Sequence, residues 1–247
     1  LFSRFIIEEA EAEGIDTSLF IRHDRPARRV AAAFSYAHER GFISYSDDEM
    51  PDELPLAALA KHQPRCLLLS HLGYWSELHK LKTLSRRDRL LVYLDCQDTA
   101  LSLDHTPGLA HALGHADVFA PNEAEALRLT GTASAEAALE RLAEHVPTAV
   151  IKLGHRGAIA QRGRERVAVP PIVVKPVDTT GAGDCFNAGF VYGLLQDASL
   201  RDCLRYGNIV GGISTTHPGG SAIPSGRPDL AQFYADAAGG RGPAETA

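Results

Sequence analysis

The stretch VDTTGAGDCFNAGF, residues 177–190, decides the fold. It places Gly181, Ala182 and Gly183 directly before a carboxylate, Asp184, where an apolar helical pattern begins. Free backbone N–H groups at the start of a helix bind anions, and glycine lets an oxygen come close. A carboxylate at this place is kept ionised by the helix dipole and can accept a proton from a hydroxyl. A base beside an anion site is what phosphoryl transfer to an alcohol requires.

Other glycine motifs fit this stretch less well. A dinucleotide-binding fingerprint, G-x-G-x-x-G, fails because Phe186 stands at its third glycine. A Walker P-loop, G-x-x-x-x-G-K-[ST], does not occur in the chain. A plain glycine turn with Asp184 as an ordinary N-terminal helix acid stays open as an alternative when these four residues are taken alone.

The composition is that of a globular protein, with 45% hydrophobic and 23% charged residues, and 247 residues can bury one sizeable core. A net charge of −6 argues against a nucleic-acid-binding face. No apolar run approaches the ~20 residues that a bilayer requires. We therefore expect a cytoplasmic protein without nucleic-acid or membrane partners. Four widely spaced cysteines in apolar runs predict reduced, buried thiols: Cys66, Cys96, Cys185 and Cys203.

Two alternating segments, at residues 29–36 and 41–45, predict a β-hairpin. From residue 64 onward, continuous apolar runs alternate with helical patterns, as expected for buried parallel strands covered by helices. The runs are residues 66–69, 90–94, 117–120 and 149–153. A second hairpin, at about residues 158–161 and 166–169, precedes two predicted helices at residues 182–195 and 200–215.

Ligands of open parallel sheets bind at the carboxyl ends of the strands. Polar residues and glycines that directly follow the apolar runs are therefore candidate site residues. They are Asp95, Gln97, Asn122, Glu125 and Gly154, together with the glycine motif.

The string DTTGAGDCFNAGF closely resembles the second signature, D-T-x-G-A-G-D-x-F, of the ribokinase-like, or PfkB, family of carbohydrate and nucleoside kinases. EAEGIDTSLF, PNEAEALRLTG, IKLGHRGA and GGSAIPS follow the order of the family's other elements, up to about residue 228. The resemblance implies an α/β fold with a mostly parallel central sheet, flanking helices and a small β lid. It implies one domain over residues 1–238, with residues 18–46 as a lid remnant and residues 239–247 as a disordered tail.

The resemblance also implies an ATP-dependent phosphotransferase with an alcohol group of a sugar or nucleoside as acceptor. Asp184 would be the catalytic base, and the N–H groups of Gly181, Ala182 and Gly183 would bind the transferred phosphoryl group. The residues that would bind the nucleotide are Lys152, Gly154, Gly157 and Asn208, although a position on the helix surface is an open alternative for Asn208.

Two cation sites follow from the same resemblance. Asn122 and Glu125 match an N-x-x-E motif that organises Mg²⁺ through water, and their spacing also fits a helix capping box, so both roles can hold at once. Asp178 and Thr180 match residues that hold a monovalent cation such as K⁺, Thr180 through its carbonyl. The turn at residues 219–220 would complete that site.

The chain departs from the family pattern at two places. Residues 95–99, DCQDT, lack the Asn and Arg of the D-x-N-x-R string found in many sugar kinases, which weakens an assignment to their keto-deoxy-sugar or fructose branches. Residues 1–41 contain no match to the family's N-terminal G-G signature, so we expect the first strand to lie upstream of Leu1. A non-catalytic nucleotide-binding member, or an inactive fragment without the acceptor site, is therefore the alternative function. A homodimer through the lid is a further expectation.

Overall fold

The computed structural model describes residues 2–20, 29–35, 40–46, 54–83, 90–97 and 100–219. The chain divides into two compact units, Leu1–Ala58 and Leu59–Ala247. The single domain over residues 1–238 stays a prediction, and the predicted tail, residues 239–247, lies outside the described residues.

The first unit contains a helix and a hairpin. Helix α1, Phe2–Ala12, ends before Gly14, whose φ of +77° is the left-handed conformation that glycine tolerates at a helix end. Strands β1, Arg29–Ser35, and β2, Arg40–Ser46, pair antiparallel, which confirms the predicted hairpin to within one residue. That this hairpin serves as a lid stays a prediction.

The second unit is built on a six-stranded sheet whose strands lie in chain order. The first four strands pair in parallel and the last two pair antiparallel, so the sheet is mostly parallel, as predicted. The strands are β3 (Cys66–Leu69), β4 (Leu91–Leu94), β5 (Val118–Phe119), β6 (Thr148–Lys152), β7 (Ala158–Arg162) and β8 (Glu165–Val169).

Helix α5, Ala135–Ala143, begins at a side-chain cap. Ser134 accepts a hydrogen bond from the N–H of Ala137 at 3.2 Å, which is typical of the residue before a helix. The other helical segments of the described residues are α2 (Leu56–His62), a 3-10 helix (Leu72–Thr83), α3 (Leu109–Leu113), α4 (Glu123–Thr130), a short 3-10 helix (Gly154–Arg156), α6 (Ala182–Leu195) and α7 (Leu200–Ser214). Among the helices of the described ranges, none has the length and hydrophobicity to cross a membrane.

The continuous apolar runs are explained by burial on both faces of the sheet. Ala149, Val150 and Ile151 of β6 are fully inaccessible to solvent. The ring of Phe190 on α6 packs against Tyr93 of β4, with ring centroids 5.9 Å apart. Helix α6 is thereby fixed on the sheet through aromatic contacts.

The prediction that all four cysteines are buried is half wrong. Cys96 and Cys203 are buried, whereas Cys66 and Cys185 are only partly buried. Cys66 lies on β3, an edge strand of the six-stranded sheet, and Cys185 lies in the first turn of α6. All four are free thiols, and partial burial raises the pKa of Cys66 to about 11, with the Asp117 carboxylate adding to the effect.

Helices α6 and α7 approach each other at positions that only glycine can fill. A Cβ on Gly189 would lie 2.4 Å from the carbonyl oxygen of Tyr206, and one on Gly207 would lie 2.7 Å from the ring of Phe186. A Cβ on Gly211 would lie 2.9 Å from the carbonyl oxygen of Ala182. The glycines therefore bring α7 against the first turn of α6, which carries the predicted anion site.

We expect Gly189→Ala to destabilise the protein by ~1–3 kcal/mol, because a backbone carbonyl cannot move aside as a flexible side chain can. Ala188→Ser is the matched control, since residue 188 is exposed on the same helix. Urea unfolding of both variants measures the effect. Equal unfolding midpoints for the two would contradict the close helix contact.

Candidate active site

A cavity of about 660 Å³ opens at the carboxyl ends of the parallel strands. This volume falls within the ~300–1,000 Å³ typical of small-molecule sites. Most of the sequence-predicted residues line it, as the rule for parallel sheets predicts. They are Asp95, Gln97, Asn122, Glu125, Lys152, Gly154, Gly157, Ala182, Gly183, Asp184 and Asn208.

The predicted anion site is the start of helix α6. Gly181 is the residue before the helix and has φ +71°, a left-handed conformation that glycine adopts without strain. The N–H of Ala182 donates to the carbonyl of Thr179 at 3.3 Å, a long bond that an anion would have to displace. The first-turn N–H groups of a helix have no partner within the helix, so this end of α6 retains donors suited to an anion.

Asp184 lies in the first turn of α6, and its residue is exposed to solvent. Protein atoms around its carboxyl partly desolvate it and so raise its pKa. The nearby Asp95 carboxylate raises the pKa further, whereas Lys152 lowers it. The expectation that the helix dipole alone governs this carboxylate is therefore incomplete. Asp184 holds a proton more tightly than an ordinary aspartate, which makes it a stronger base.

Lys152 and Asp95 form a buried ion pair beneath this helix start. The ammonium donates to both carboxylate oxygens, at 2.9 and 2.8 Å, and the two side chains are only 12% and 8% exposed. Asn187 of α6 completes the group: its amide donates to Asp95, and its oxygen accepts from Lys152 at 3.3 Å and from the Tyr93 hydroxyl at 2.8 Å. The resemblance assigned Lys152 to the nucleotide, but its observed partners are protein groups.

Asn122 and Glu125 form the capping box that their spacing predicts. The Asn122 side chain accepts from the Glu125 N–H at 2.9 Å, and the Glu125 carboxylate accepts from the Asn122 N–H at 2.8 Å. Burial raises the pKa of Glu125, although the Asn122 N–H opposes the shift. Both residues also line the cavity, so the cap leaves them next to any bound ligand.

Asp178 and Thr180 lie at the loop that enters α6. The Asp178 carboxylate accepts from the Thr180 hydroxyl at 2.8 Å and from its N–H at 2.9 Å, and it accepts from the Gly219 N–H at 3.0 Å. The predicted approach of Gly219 is therefore present, and Gly220 lies outside the described residues. Asp178 acts here as a clamp between two loops, and its role at a monovalent cation stays a prediction.

Asn208 is buried, so its alternative position on the helix surface is wrong. Its amide donates to the carbonyls of Val169 and Pro170, at 3.1 and 2.9 Å, and so fixes the chain that leaves β8. Gly157 packs against the same chain: its φ is +88°, and a Cβ there would lie 2.1 Å from the Val169 oxygen. Gly154, with φ +58°, has open space around it.

Sequence reasoning missed Asn187 and Tyr93 as members of the site. Asn187 is fully buried in a helix whose other buried residues are apolar or glycine, three positions after Asp184. A polar residue on the buried face of a helix needs partners, and that signal was available in the sequence. Tyr93 carried no such signal, because a tyrosine in an apolar strand is ordinary core.

We expect Gly157→Ala to destabilise the protein by ~1–3 kcal/mol more than Gly163→Ala. Both positions have positive φ, +88° and +58°, but a Cβ on Gly163 meets nothing within 4 Å. The difference between the two urea midpoints therefore isolates the clash with Val169 from the backbone strain. A Gly157→Ala midpoint no lower than that of Gly163→Ala would contradict the observed packing.

Comparisons with known proteins agree with this architecture. The model of the pfkB family carbohydrate kinases matches residues 1–225. The chain is 29% identical over 224 residues to an uncharacterised sugar kinase of Archaeoglobus fulgidus, with 84% of each chain covered. It is 36% identical over 117 residues to a ribokinase of Haemophilus influenzae, which covers 44% of this chain and 38% of that protein.

Solved structures give the same fold. An adenosine kinase of Sinorhizobium meliloti superposes with a TM-score of 0.77 at 24% identity, over 91% of this chain and 72% of that chain. A fructokinase of Vibrio cholerae, solved with fructose, ADP and calcium, superposes with a TM-score of 0.70 at 24% identity, over 96% and 82%. At these identities the structures establish a ribokinase-like fold and leave the substrate open. The family match over most of the chain shows that it belongs to the pfkB family of carbohydrate kinases.

Proposed function

We propose that this chain transfers a phosphoryl group from ATP to a hydroxyl of a sugar or nucleoside. The observation that carries the proposal is the position of Asp184, a carboxylate of raised pKa in the first turn of α6, on the wall of the cavity. Ala182 and Gly183 line the same cavity, and Gly181 directly precedes them at the helix start.

In the proposed reaction, Asp184 accepts the proton of the acceptor hydroxyl as its oxygen attacks the phosphorus. The N–H groups at the start of α6 stabilise the charge on the transferred group. The helix dipole contributes in the same direction, since its positive end faces that charge. In the lid role that the resemblance implies for it, the hairpin β1–β2 would serve to exclude water, which competes as an acceptor.

Asn122 and Glu125 fit a water-mediated Mg²⁺ role better than direct ligation. In the described part of the chain, no group of three or more His, Cys, Asp or Glu residues is arranged to hold a metal ion. Mg²⁺ typically keeps several waters and takes only one or two carboxylates beside substrate phosphates. The carboxylate of Glu125 would therefore be enough for this role. When bound, Mg²⁺ would neutralise charge on the ATP phosphates.

The nucleotide would lie along the chain that follows β8. Ile172, Val173 and Val174 supply apolar cavity wall there, and Gly154 and Asn208 line the same cavity. Asn208 would act by holding this wall in place, because its amide hydrogens are bonded to Val169 and Pro170. A K⁺ ion near Asp178 and Thr180 and a homodimer through the hairpin remain further proposals.

The direct test is ADP release from Mg·ATP in the presence of a panel of sugars and nucleosides. Acceptor-dependent release would establish the transferase and identify the acceptor. A rise in melting temperature with ATP, without release for any acceptor, would instead favour a non-catalytic nucleotide-binding member of the family.

We expect Asp184→Asn to retain ATP binding while transfer falls by ~10²–10⁴-fold, because an amide cannot accept the hydroxyl proton. Glu136→Gln is the control, since Glu136 is an exposed first-turn carboxylate of α5 that does not belong to the cavity lining. Near-normal turnover in Asp184→Asn would remove the proposed base. In the unmodified chain, kcat/KM should fall on acidification at a pH above the ~3.9 of an ordinary aspartate, because protonated Asp184 cannot act as base.

Asn122→Ala and Ser134→Ala separate the cap from the proposed site role. Each removes one N-cap side chain and should cost ~1 kcal/mol of stability. Asn122→Ala alone should also weaken Mg·ATP binding, by ~10-fold, because Asn122 lines the cavity. Unchanged Mg·ATP affinity in titration calorimetry would leave Asn122 as a cap only.

A further inference from the structure

The ammonium of Lys152 lies directly behind the backbone of Gly183. A Cβ built on Gly183 would lie 3.5 Å from Nζ and 4.0 Å from Cε of Lys152. The Cβ of any other residue at position 183 would therefore be in ordinary van der Waals contact with the ammonium of Lys152. Gly183 is the central residue of the first turn of α6, between Ala182 and Asp184. The cation thus lies next to the turn that is proposed to bind the anion.

Lys152 also reaches the cavity. It is one of the lining residues, and its side chain retains 12% exposure despite three protein hydrogen bonds. Of the described residues around this cavity, it is the sole lysine or arginine. A negatively charged group that enters the site would therefore meet one fixed side-chain cation.

Several acidic groups face the cavity, so an anion that enters it needs a compensating cation. Asp95, Glu125 and Asp184 all line it, and the pKa values of Glu125 and Asp184 are raised by burial. A phosphoryl group brought beside these carboxylates is repelled by their charge unless a cation compensates. The bidentate contact with Asp95 fixes where the compensating charge stands, and Asn187 holds it from the side of α6.

We propose that Lys152 is the cation of the phosphoryl site: the ion pair with Asp95 and the bond to Asn187 hold its ammonium behind Gly183, where it stabilises the negative charge of the group in transfer. This inference rests on the proposed function. It replaces the nucleotide-cradling role that the sequence assigned to Lys152 with a role at the reacting phosphorus.

A purely structural ion pair makes a different prediction, and a double variant distinguishes the two. Lys152→Met leaves the Asp95 carboxylate buried without its cation, so loss of stability is expected under both views. In the double variant Lys152→Met/Asp95→Asn, no buried charge is left unpaired, and the unfolding midpoint should recover. If Lys152 has only a structural role, the double variant should regain both stability and phosphoryl binding. If Lys152 is the proposed cation, stability should return while phosphoryl binding stays impaired.

The probe is ADP with Mg²⁺ and aluminium fluoride, which mimics a phosphoryl group in transfer and needs no acceptor turnover. Titration calorimetry compares the affinity for ADP with Mg²⁺ alone and with the fluoride complex. We expect the gain in affinity on adding fluoride to fall by ~10²-fold in the double variant, while the affinity for ADP alone changes by less than ~3-fold. Lys80→Met is the control, because Lys80 forms an ion pair with Glu77 away from the cavity lining.

Each outcome is decisive. A double variant that is stable and lacks the fluoride-dependent gain supports the inference, even if Lys152→Met alone does not fold. A stable double variant with the full gain overturns it and leaves Lys152 as a structural residue. An unmodified chain that binds ADP without any gain from fluoride overturns the proposed transfer, and the inference falls with it.

Discussion

Asp95 directly follows strand β4 and Lys152 ends strand β6, and their side chains meet at 2.8 Å across the end of the strand that separates them. Either charge alone would be costly to bury, by several kcal/mol per ion, so each requires the other. The amide of Asn187 brings α6 into the same group. Two strands and a helix are therefore tied together at the point where the cavity opens, and the start of α6 is placed over the carboxyl edge of the sheet.

The glycines of the decisive stretch have separate physical reasons. Gly181 supplies a left-handed turn into α6, and Gly189 lets the backbone of α7 come close, whereas a Cβ on Gly183 would only make ordinary contact with Lys152. The family signature D-T-x-G-A-G-D-x-F contains Gly181 and Gly183, whereas Gly189 lies beyond its last position, Phe186. The reason for Gly189 concerns packing alone, and it still affects the site, since α7 supports the first turn of α6 through Gly211.

The sequence predicted the features that depend on local pattern. The runs that became β3, β4 and β6 were visible because strands buried on both faces have no polar alternation, and helix α6 was predicted at its observed bounds. The rule for parallel strands also predicted which residues meet at one edge. The 3-10 helix Leu72–Thr83 was not predicted, because its apolar residues recur every third position, the repeat of a 3-10 helix and not of an α-helix: Leu72, Trp75, Leu78 and Leu81.

Features that depend on tertiary contacts were beyond the sequence. Asn208 was assigned to a ligand or to the helix surface, yet it bonds two carbonyls of the chain leaving β8, a contact 39 residues away for Val169. Lys152 was assigned by resemblance, and nothing in its neighbourhood along the chain identifies Asp95, 57 residues earlier, as its partner. Pairing across a sheet is set by strand order, which one sequence reveals only after the fold is known.

The ion pair also affects the proposed base in a way that explains why both charges are useful. Asp95 raises the pKa of Asp184 and Lys152 lowers it, so the two charges oppose each other at the carboxyl of the proposed base. At the proposed phosphoryl site the two charges need not cancel, because the Lys152 ammonium lies against Gly183 while it is bonded to Asp95. A paired lysine can therefore stabilise the transferred charge without making Asp184 a weak base, which an unpaired lysine at the same place would do.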